Sequence, residues 1–406
     1  MATLATSPAA AVQVIVTDVA KQAGVFESNK SWSACESGDL LYVGGHQLSS
    51  HLYQSNGAGL YESLPLNGAW PLKTPSARAD RHGCAWADFD LNGLADMYNT
   101  TGRNESNFVK PDGRDNELWL QTVPGLFTDV GTALGLGDPC TRGRHAAAGD
   151  LDGDGWADIV EGVAIGRDDP SDPCNIPANG YPSENPKVYL NLGADPSGQW
   201  QGFAAGQDLA TDDDPGQRGV ELFDVDRDGD LDILGIRLKS KTPVVYVNDG
   251  SAGFTAERKT DNGLTTAVSD ASRYDVDGDG DLDLVEARKT SCGWQPADGF
   301  GRYGKYKAIV TFSGEGRSVA IGRTAAGLAV YCQVQADSGN PTDYVGVLSG
   351  TTWAKYTAPA AAGLADEVYA IHPDSSGNVQ FLVLNGGNGG EAGVGGPVQL
   401  VKVSVQ

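Results

Sequence analysis

Four short segments of the chain carry acidic residues at one spacing, Asp-x-Asp-x-Asp-Gly-x-x-Asp, with Asn in place of the third acid in the first copy. Side chains at positions 1, 3 and 5 of such a nonapeptide point to one side of a tight loop, and Gly at position 6 allows a positive φ. The carbonyl at position 7 and the acid at position 9 then complete a cage of oxygen atoms. The predicted metal ligands are Asp88, Asp90, Asn92, Asp96, Asp150, Asp152, Asp154, Asp158, Asp224, Asp226, Asp228, Asp232, Asp275, Asp277, Asp279 and Asp283.

A cage of hard oxygen ligands favours Ca²⁺ over Mg²⁺, which tends to retain its waters. We therefore predict about four calcium ions, one in each copy of the motif. The alternative is a solvated acidic turn, but three or four unpaired carboxylates in one loop would repel one another. Since protein atoms fill every ligand position, we expect the ions to stabilise hairpins rather than to catalyse a reaction.

Basic and titratable residues lie just upstream of three of the motifs, as Arg81 and His82, Arg144 and His145, and Arg218. Histidine can abstract a proton near neutral pH, and arginine can hold a carboxylate through two hydrogen bonds. These residues are the candidate catalytic or anion-binding groups. The alternative is an ordinary polar lining. The sequence shows no Ser-His-Asp spacing, phosphate loop or dinucleotide fingerprint.

The elements that position these residues are short strands. Each motif lies between two strand-like runs, and a third and a fourth strand follow it, which is the make-up of one propeller blade. Clear repeats cover residues 80–285, and degenerate blades are expected at 30–65 and 315–406. We predict an all-β, seven-bladed β-propeller with calcium-binding hairpin loops, formed by residues 1–406 as one domain. The strand at 12–17 is expected to close the last blade, because a ring must remove its free sheet edge.

The motifs resemble FG-GAP/VCBS repeats, the calcium-loop blades of integrin-α-like seven-bladed propellers. Residues 127–130 with 135–137, and 16–19 with 23–25, resemble the ASPIC/cartilage-acidic-protein group. The repeats are also similar to those of a mushroom N-acetylglucosamine-binding propeller lectin. The resemblance implies calcium binding, and often extracellular recognition. It also implies that the calcium loop joins strands one and two at a bottom face. The upstream Arg and His residues would then ring the channel mouth at the top face.

Composition excludes several classes of function. The chain has 406 residues and a formal net charge of -24 at pH 7, so a nucleic-acid partner is not expected. No apolar run approaches the ~18 residues that a membrane span needs. Residues 1–11 lack the basic and apolar regions of a signal peptide. The resemblance favours an extracellular location, and the alternative is a cytoplasmic one if Met1 is the native start.

Two long segments, 162–186 and 289–305, are expected as top-face loops and possible binding surfaces. Of the six cysteines, Cys140 and Cys174 are predicted to pair, and Cys35–Cys84 and Cys292–Cys332 are further candidate pairs. Free thiols remain the alternative in a cytosolic protein. Tryptophans expected in or near loops, where a sugar can stack, are Trp32, Trp70, Trp200, Trp294 and Trp353.

Two functional hypotheses follow. The first is a calcium-stabilised recognition module that binds carbohydrate or protein at its top face. The second is a propeller enzyme that abstracts a proton, as in polysaccharide β-elimination, isomerisation or cyclisation. In that enzyme His82 or His145 is the base, and Arg81, Arg144 or Arg218 holds the anion.

Overall fold

The computed structural model contains seven four-stranded antiparallel sheets, which are the blades of a β-propeller. It describes residues 13–25, 31–45, 50–64, 81–102, 115–137, 142–163, 186–209, 217–237, 243–257, 262–264, 268–325, 327–335, 342–359, 367–371, 373–374, 376–385 and 398–405. Predictions were made for Trp70, Cys140, Cys174 and the 162–186 segment, but these three residues and most of that segment lie outside the described residues.

The first elements in the chain are β1 (Val14–Asp18) and a one-turn helix, α1 (Ala20–Ala23). Blade 1 contains β2 (Ser31–Ser37), β3 (Leu40–Gly45), β4 (His51–Ser55) and β5 (Tyr61–Ser63). Blade 2 contains β6 (Arg81–Ala87), β7 (Asp96–Thr101), β8 (Glu117–Val123) and β9 (Leu126–Asp129). Blade 3 contains β10 (Gly143–Gly149), β11 (Asp158–Val163), β12 (Lys187–Tyr189) and β13 (Gln207–Asp208).

Blade 4 contains β14 (Gln217–Phe223), β15 (Asp232–Arg237), β16 (Val244–Asn248) and β17 (Phe254–Glu257). Blade 5 contains β18 (Val268–Tyr274), β19 (Asp283–Arg288), β20 (Ser291–Gln295) and β21 (Lys307–Thr311). Blade 6 contains β22 (Glu315–Thr324), β23 (Gly327–Gln335), β24 (Tyr344–Ser349) and β25 (Thr352–Thr357). Blade 7 contains β26 (Glu367–Ile371), β27 (Val379–Leu384), β28 (Gln399–Val405) and β1.

Blade 7 is completed by the two ends of the chain. Strand β1 pairs antiparallel with β28, with Val14 opposite Val405 and Asp18 opposite Val401. The first strand of each blade contacts a neighbouring blade, either at the first strand of that blade or, for blade 5, at β15 of blade 4, and β26 contacts β2, so the blades form a closed ring. The pairing satisfies the backbone groups of β28 that an unpaired edge would expose.

The hydrophobic core lies at the seams between blades. The described residues form seven buried clusters, and each combines side chains from two neighbouring blades. The second strands β11 and β27 are buried along their whole length, because a blade covers each of their faces. Such strands therefore need not alternate between apolar and polar residues. Seam packing, more than any single hairpin, holds this fold together.

The strands of each blade alternate in direction, so the loops fall on two faces. Connections between strands one and two, and between three and four, lie on the bottom face; the others lie on the top face. The expectation of a top loop over residues 289–305 is therefore wrong. Residues 291–295 form β20, which buries Trp294, and residues 296–306 form a bottom loop of blade 5. Because β20 contains few apolar residues, its sequence resembles that of a loop.

Of the four cysteines in the described residues, two form a disulfide and two are free. Cys35 and Cys84 form a disulfide that joins blades 1 and 2. The predicted Cys292–Cys332 bond is absent, and both cysteines are free and buried in the cluster between blades 5 and 6. Burial raises the pKa of the Cys292 thiol well above its usual value. The thiolate that would start disulfide formation is therefore disfavoured.

Candidate metal centres and the channel mouth

The four acidic segments fold into loops of one design on the bottom face of blades 2 to 5. Each loop joins the first and second strands of its blade. The first acid accepts a hydrogen bond from the glycine N–H at position 6, as in Gly93 to Asp88 at 2.7 Å and Gly155 to Asp150 at 2.8 Å. That glycine has a φ of 88° to 101° in all four copies, which an L side chain rarely adopts.

The side chain at position 5 turns the loop in every copy. Asn92 accepts a hydrogen bond from the N–H of Leu94 at 2.8 Å, and Asp154 accepts one from Trp156 at 2.8 Å. Asp228 and Asp279 do the same with the residue two positions on. The acid or amide at this position therefore shapes the turn, whether or not it also binds a metal.

The closing acid at position 9 is the first residue of the second strand, and it is fully buried. Asp96 accepts hydrogen bonds from the N–H groups of Phe89, at 2.9 Å, and Gln121, at 2.7 Å. Burial, only partly offset by these bonds, raises the pKa of Asp96 and of Asp158 to about 7. A cation beside the carboxylate would remove this penalty. The sequence pattern predicted this acid as a metal ligand, but it did not predict that the carboxylate also accepts two backbone hydrogen bonds.

Three carboxylates converge in each loop. One ligand oxygen from each of three acids lies within 4.8 Å of the others in four groups: Asp88, Asp90 and Asp96; Asp150, Asp152 and Asp158; Asp224, Asp226 and Asp232; Asp275, Asp277 and Asp279. The first three groups use positions 1, 3 and 9, and the fourth uses 1, 3 and 5. Among the predicted acidic ligands, Asp154, Asp228 and Asp283 are outside these groups. An all-oxygen donor set of this kind suits a hard cation such as Ca²⁺.

At the other end of the blades, the first strands share an irregularity. In blades 1 to 6 the pairing with the second strand shifts by one residue near the start of the first strand. The extra residues, here called the bulge ring, are Trp32, His82, Arg144, Arg218, Ser269 and Arg317. A β-bulge redirects a side chain and often lies beside a functional site. Three predicted site residues occupy this ring. The side chains of Trp32 and Arg218 lie outside the described part of the chain.

The other two predicted site residues flank the ring. Arg81 is buried and forms a two-pronged ion pair with Glu117, at 2.7 and 3.0 Å. The Nδ1 atom of His145 lies 2.8 Å from the carbonyl oxygen of Val220 in blade 4. Burial lowers the pKa of His145, although Glu221 opposes the shift. Both side chains therefore already take part in structural contacts.

His82 and Arg144 converge over Gly102. A Cβ atom on Gly102 would lie 2.5 Å from His82 Nε2 and 2.4 Å from Arg144 Nη1. The glycine thus provides the space in which an imidazole from blade 2 and a guanidinium from blade 3 approach each other. Arg144 Nη1 also donates to the carbonyl of Gly143 at 2.9 Å. No sequence pattern pointed to Gly102, because it lies 20 residues after His82, directly after β7.

The fold and these loops define a seven-bladed β-propeller with acidic hairpin loops in four consecutive blades. Residues 224–286 match the model of the FG-GAP-like repeat, which confirms the resemblance drawn from the motifs. No curated protein gave a significant match to the chain. No helix among the described residues is long and apolar enough to cross a membrane.

Solved structures with similar folds include an Agrocybe aegerita lectin described as recognising non-reducing terminal N-acetylglucosamine. It is 17% identical, with a TM-score of 0.46 over 89% of this chain and 87% of that one. AofleA from Arthrobotrys oligospora is 10% identical, with a TM-score of 0.43 over 85% and 89%. A PQQ-bound aldose sugar dehydrogenase from Streptomyces coelicolor is 13% identical, with a TM-score of 0.41 over 98% and 100%. At these scores the similarities carry no functional argument.

Proposed function

We propose that the protein is a calcium-stabilised β-propeller recognition module, and that it binds a carbohydrate or protein ligand at its top face. The observation that carries the metal part is the convergence of three carboxylates in each of four loops. Calcium would supply charge neutralisation there and would rigidify the loops. We assign no catalytic step to it, because the motif offers oxygen ligands at positions 1, 3, 5, 7 and 9 of each loop.

The bulge ring supports the recognition part. Six blades keep the same backbone irregularity but present different side chains there, from tryptophan to serine to arginine. A constant scaffold with variable side chains at one level is suited to binding rather than to a single chemical step. The disulfide between blades 1 and 2 favours an oxidising, extracellular setting.

One observation keeps the enzymatic alternative as a second candidate. His82 and Arg144 meet over Gly102, so a base and an anion holder are adjacent at the channel mouth. Arg81 is less suited to hold a substrate anion, since Glu117 already neutralises it. Proton abstraction would then rest on His82 with Arg144, and with Arg218 in the neighbouring blade.

Calcium binding is tested by scanning calorimetry with calcium, with magnesium and with chelator. Binding to the folded state alone stabilises by about 2.7 kcal/mol per site when free calcium is 100 times Kd. We expect calcium to raise the Tm by several degrees and magnesium to raise it less. A Tm that is the same in calcium and in chelator would refute calcium stabilisation.

Ligand binding is tested on glycan arrays and by protein capture, with a pair of variants from one strand. Arg317→Ala removes a bulge-ring side chain at the top of β22, whereas Arg323→Ala removes the same type of side chain at its bottom end. The recognition proposal expects the first variant to lose ligand and the second to keep it. Equal binding by both would argue against the top face. Turnover of a retained glycan that stops in His82→Ala would instead favour the enzyme.

A further inference from the structure

Two buried asparagines connect the candidate metal loops of neighbouring blades. Asn191 follows β12 in blade 3 and is 3% exposed. Its backbone N–H donates to the closing acid of its own blade, Asp158, at 2.7 Å. Its side-chain amide donates to the carbonyl of Phe89 in the loop of blade 2, at 2.9 Å. A single residue therefore touches two successive loops.

Asn248 repeats this arrangement one seam further on. It ends β16 in blade 4 and is also 3% exposed. Its backbone N–H donates to the closing acid Asp232 at 2.8 Å, and its amide donates to the carbonyl of Leu151 in the loop of blade 3 at 2.7 Å. We call Asn191 and Asn248 the bridging asparagines.

The third seam between acidic loops uses different atoms. In blade 5 the equivalent residue is Ala297, whose N–H donates to the closing acid Asp283 at 2.9 Å but which has no amide. Instead Gly301 N–H donates to the carbonyl of Val225 in the loop of blade 4, at 2.9 Å. An ion pair between Arg227 and Asp281 joins the two loops directly.

Blade 2, the first blade with an acidic loop, makes no such contact through its equivalent residue to the described part of the blade before it. In blade 2 the equivalent residue is Gln121, whose N–H donates to Asp96 at 2.7 Å. The preceding blade has only a tight turn between its first two strands, and the Gln121 amide bonds within its own blade, to Ala95 at 2.8 Å. Contacts between loops thus occur at all three seams that separate two acidic loops.

The residue at position 2 of a loop transmits the contact. The N–H of Phe89 donates to the closing acid Asp96, a candidate ligand, while its carbonyl accepts the Asn191 amide. The same holds for Leu151, between Asp158 and Asn248. Any ion that fixes these loops therefore also orients the residue whose carbonyl accepts the hydrogen bond from the next blade.

We infer that metal binding is coupled from blade to blade, through the bridging asparagines in blades 2 to 4 and through Gly301 and the Arg227–Asp281 pair between blades 4 and 5, so that the ions hold these four blades together as one unit. This rests on the proposed calcium binding. The inference assigns Asn191 and Asn248 as positioning residues rather than ligands. It makes the seams, and not only the hairpins, dependent on the metal.

Terbium luminescence provides the test, because Trp156 lies at position 7 of the blade 3 loop and can sensitise an ion there. Trp156→Phe identifies the part of the emission that belongs to this loop. Asp88→Asn/Asp90→Asn then removes binding in blade 2. We expect terbium affinity in blade 3 to fall about fivefold or more, the lower range of measured couplings between sites.

The decisive comparison repeats the blade 2 loop variant in two backgrounds. In Asn191→Ala the blade 2 variant should no longer change terbium affinity in blade 3, because the bridge is gone. In the matched control Asn248→Ala, which alters the next seam, the fivefold effect should remain. Coupling that persists in Asn191→Ala, or that is absent from the otherwise unaltered chain, would overturn the inference while leaving calcium binding intact.

Hydrogen exchange offers a second measurement if Asn191→Ala does not fold. With calcium bound, Asp88→Asn/Asp90→Asn should speed exchange of the backbone amides at 187–193 in blade 3. Unchanged protection would contradict the coupling. Failure of the unaltered chain to bind terbium or calcium would refute the proposed metal sites themselves, and with them this inference.

Discussion

Buried carboxyl groups in this propeller differ in their surroundings, and some have no basic partner. The closing acids of the loops lie beside other acids, whereas Asp343 in blade 6 lies alone among neutral donors. Its oxygens accept hydrogen bonds from Tyr331 Oη at 2.9 Å and from the N–H of Val334 at 2.8 Å. Burial outweighs these bonds and raises the pKa of Asp343 from 3.8 to about 6.

Asp343→Asn should therefore remove a pH-dependent loss of folding stability. Between about pH 4 and pH 6 the folded protein retains the proton that the unfolded chain has lost, so the free energy of unfolding decreases as pH rises. This loss of stability reaches its full size above the pKa of Asp343 in the folded protein. From pH 4 to pH 7 we expect the original chain to lose roughly 1–3 kcal/mol relative to the variant.

Urea unfolding of both proteins across this range measures the difference. The acids of the acidic loops are the same in both proteins, so their contributions cancel. If the free energies of unfolding of the two proteins changed in parallel with pH, Asp343 would ionise in the folded protein without loss of stability. Asparagine is the matched replacement because its amide can still accept from Val334 and donate to Tyr331.

At the residue scale, local spacing identified the acidic loops because ligands of one loop are close in sequence. The partners that complete each loop are not close. Phe89 and Asn191 are 102 residues apart, and no periodicity connects them. The asparagine after the third strand recurs in blades 3 and 4, which is a visible signal, but its amide contact depends on how blades stack.

At the scale of elements, the innermost strands approach so closely that some positions accept only glycine. A Cβ atom on Gly83 in β6 would lie 2.5 Å from the Cα of His145 in β10. The neighbour is backbone, which cannot move aside without shifting a strand. The seam between blades 2 and 3 is thus set by this contact as well as by apolar packing.

Gly83→Ala should therefore cost roughly 3 kcal/mol or more, at the upper end of overpacking effects. Gly350→Ala is the control, because open space surrounds its Cβ position and only its φ of 61° opposes a side chain. That conformational penalty is about 1–2 kcal/mol. Chemical unfolding of the two variants measures both. A cost at Gly83 no larger than at Gly350 would mean that the blades separate easily.

Strand patterns predicted the blades well where apolar residues alternate or run together. They were misleading in blade 5, where Cys292 and Trp294 are the only large or apolar side chains of a five-residue strand. Tertiary contacts decide such a strand: the next blade buries Trp294, and Lys307 lies over its ring at 4.0 Å. Those contacts come from residues outside the local window.

At the scale of the whole molecule, the ring is held closed by different means at different seams. Strand β1 completes blade 7, and a disulfide joins blade 1 to blade 2. The acidic loops lie in blades 2 to 5. The β1–β28 pairing therefore closes the ring in a blade without an acidic loop. The disulfide joins another such blade, blade 1, to blade 2, which is the first blade with an acidic loop.

Removing the disulfide should lower stability appreciably. The bond closes a loop of 49 residues, for which the chain-entropy model gives about 4 kcal/mol. We expect Cys35→Ser/Cys84→Ser to lower the Tm by several degrees in calorimetry. Reductant should produce the same shift in the original chain and none in the double variant. An original chain insensitive to reductant would contradict a stabilising role.

The acidic loops occupy the bottom face of four consecutive blades and leave the other three blades without them. The seventeen acids of the four motifs therefore lie off the ring axis in a protein whose formal net charge is -24. Such a distribution gives the molecule a large permanent dipole moment. A cationic resin or bead would adsorb it by the edge of blades 2 to 5, which orients every immobilised copy alike. If the loops bind calcium as we propose, calcium in the buffer would weaken that adsorption and release the protein at lower salt.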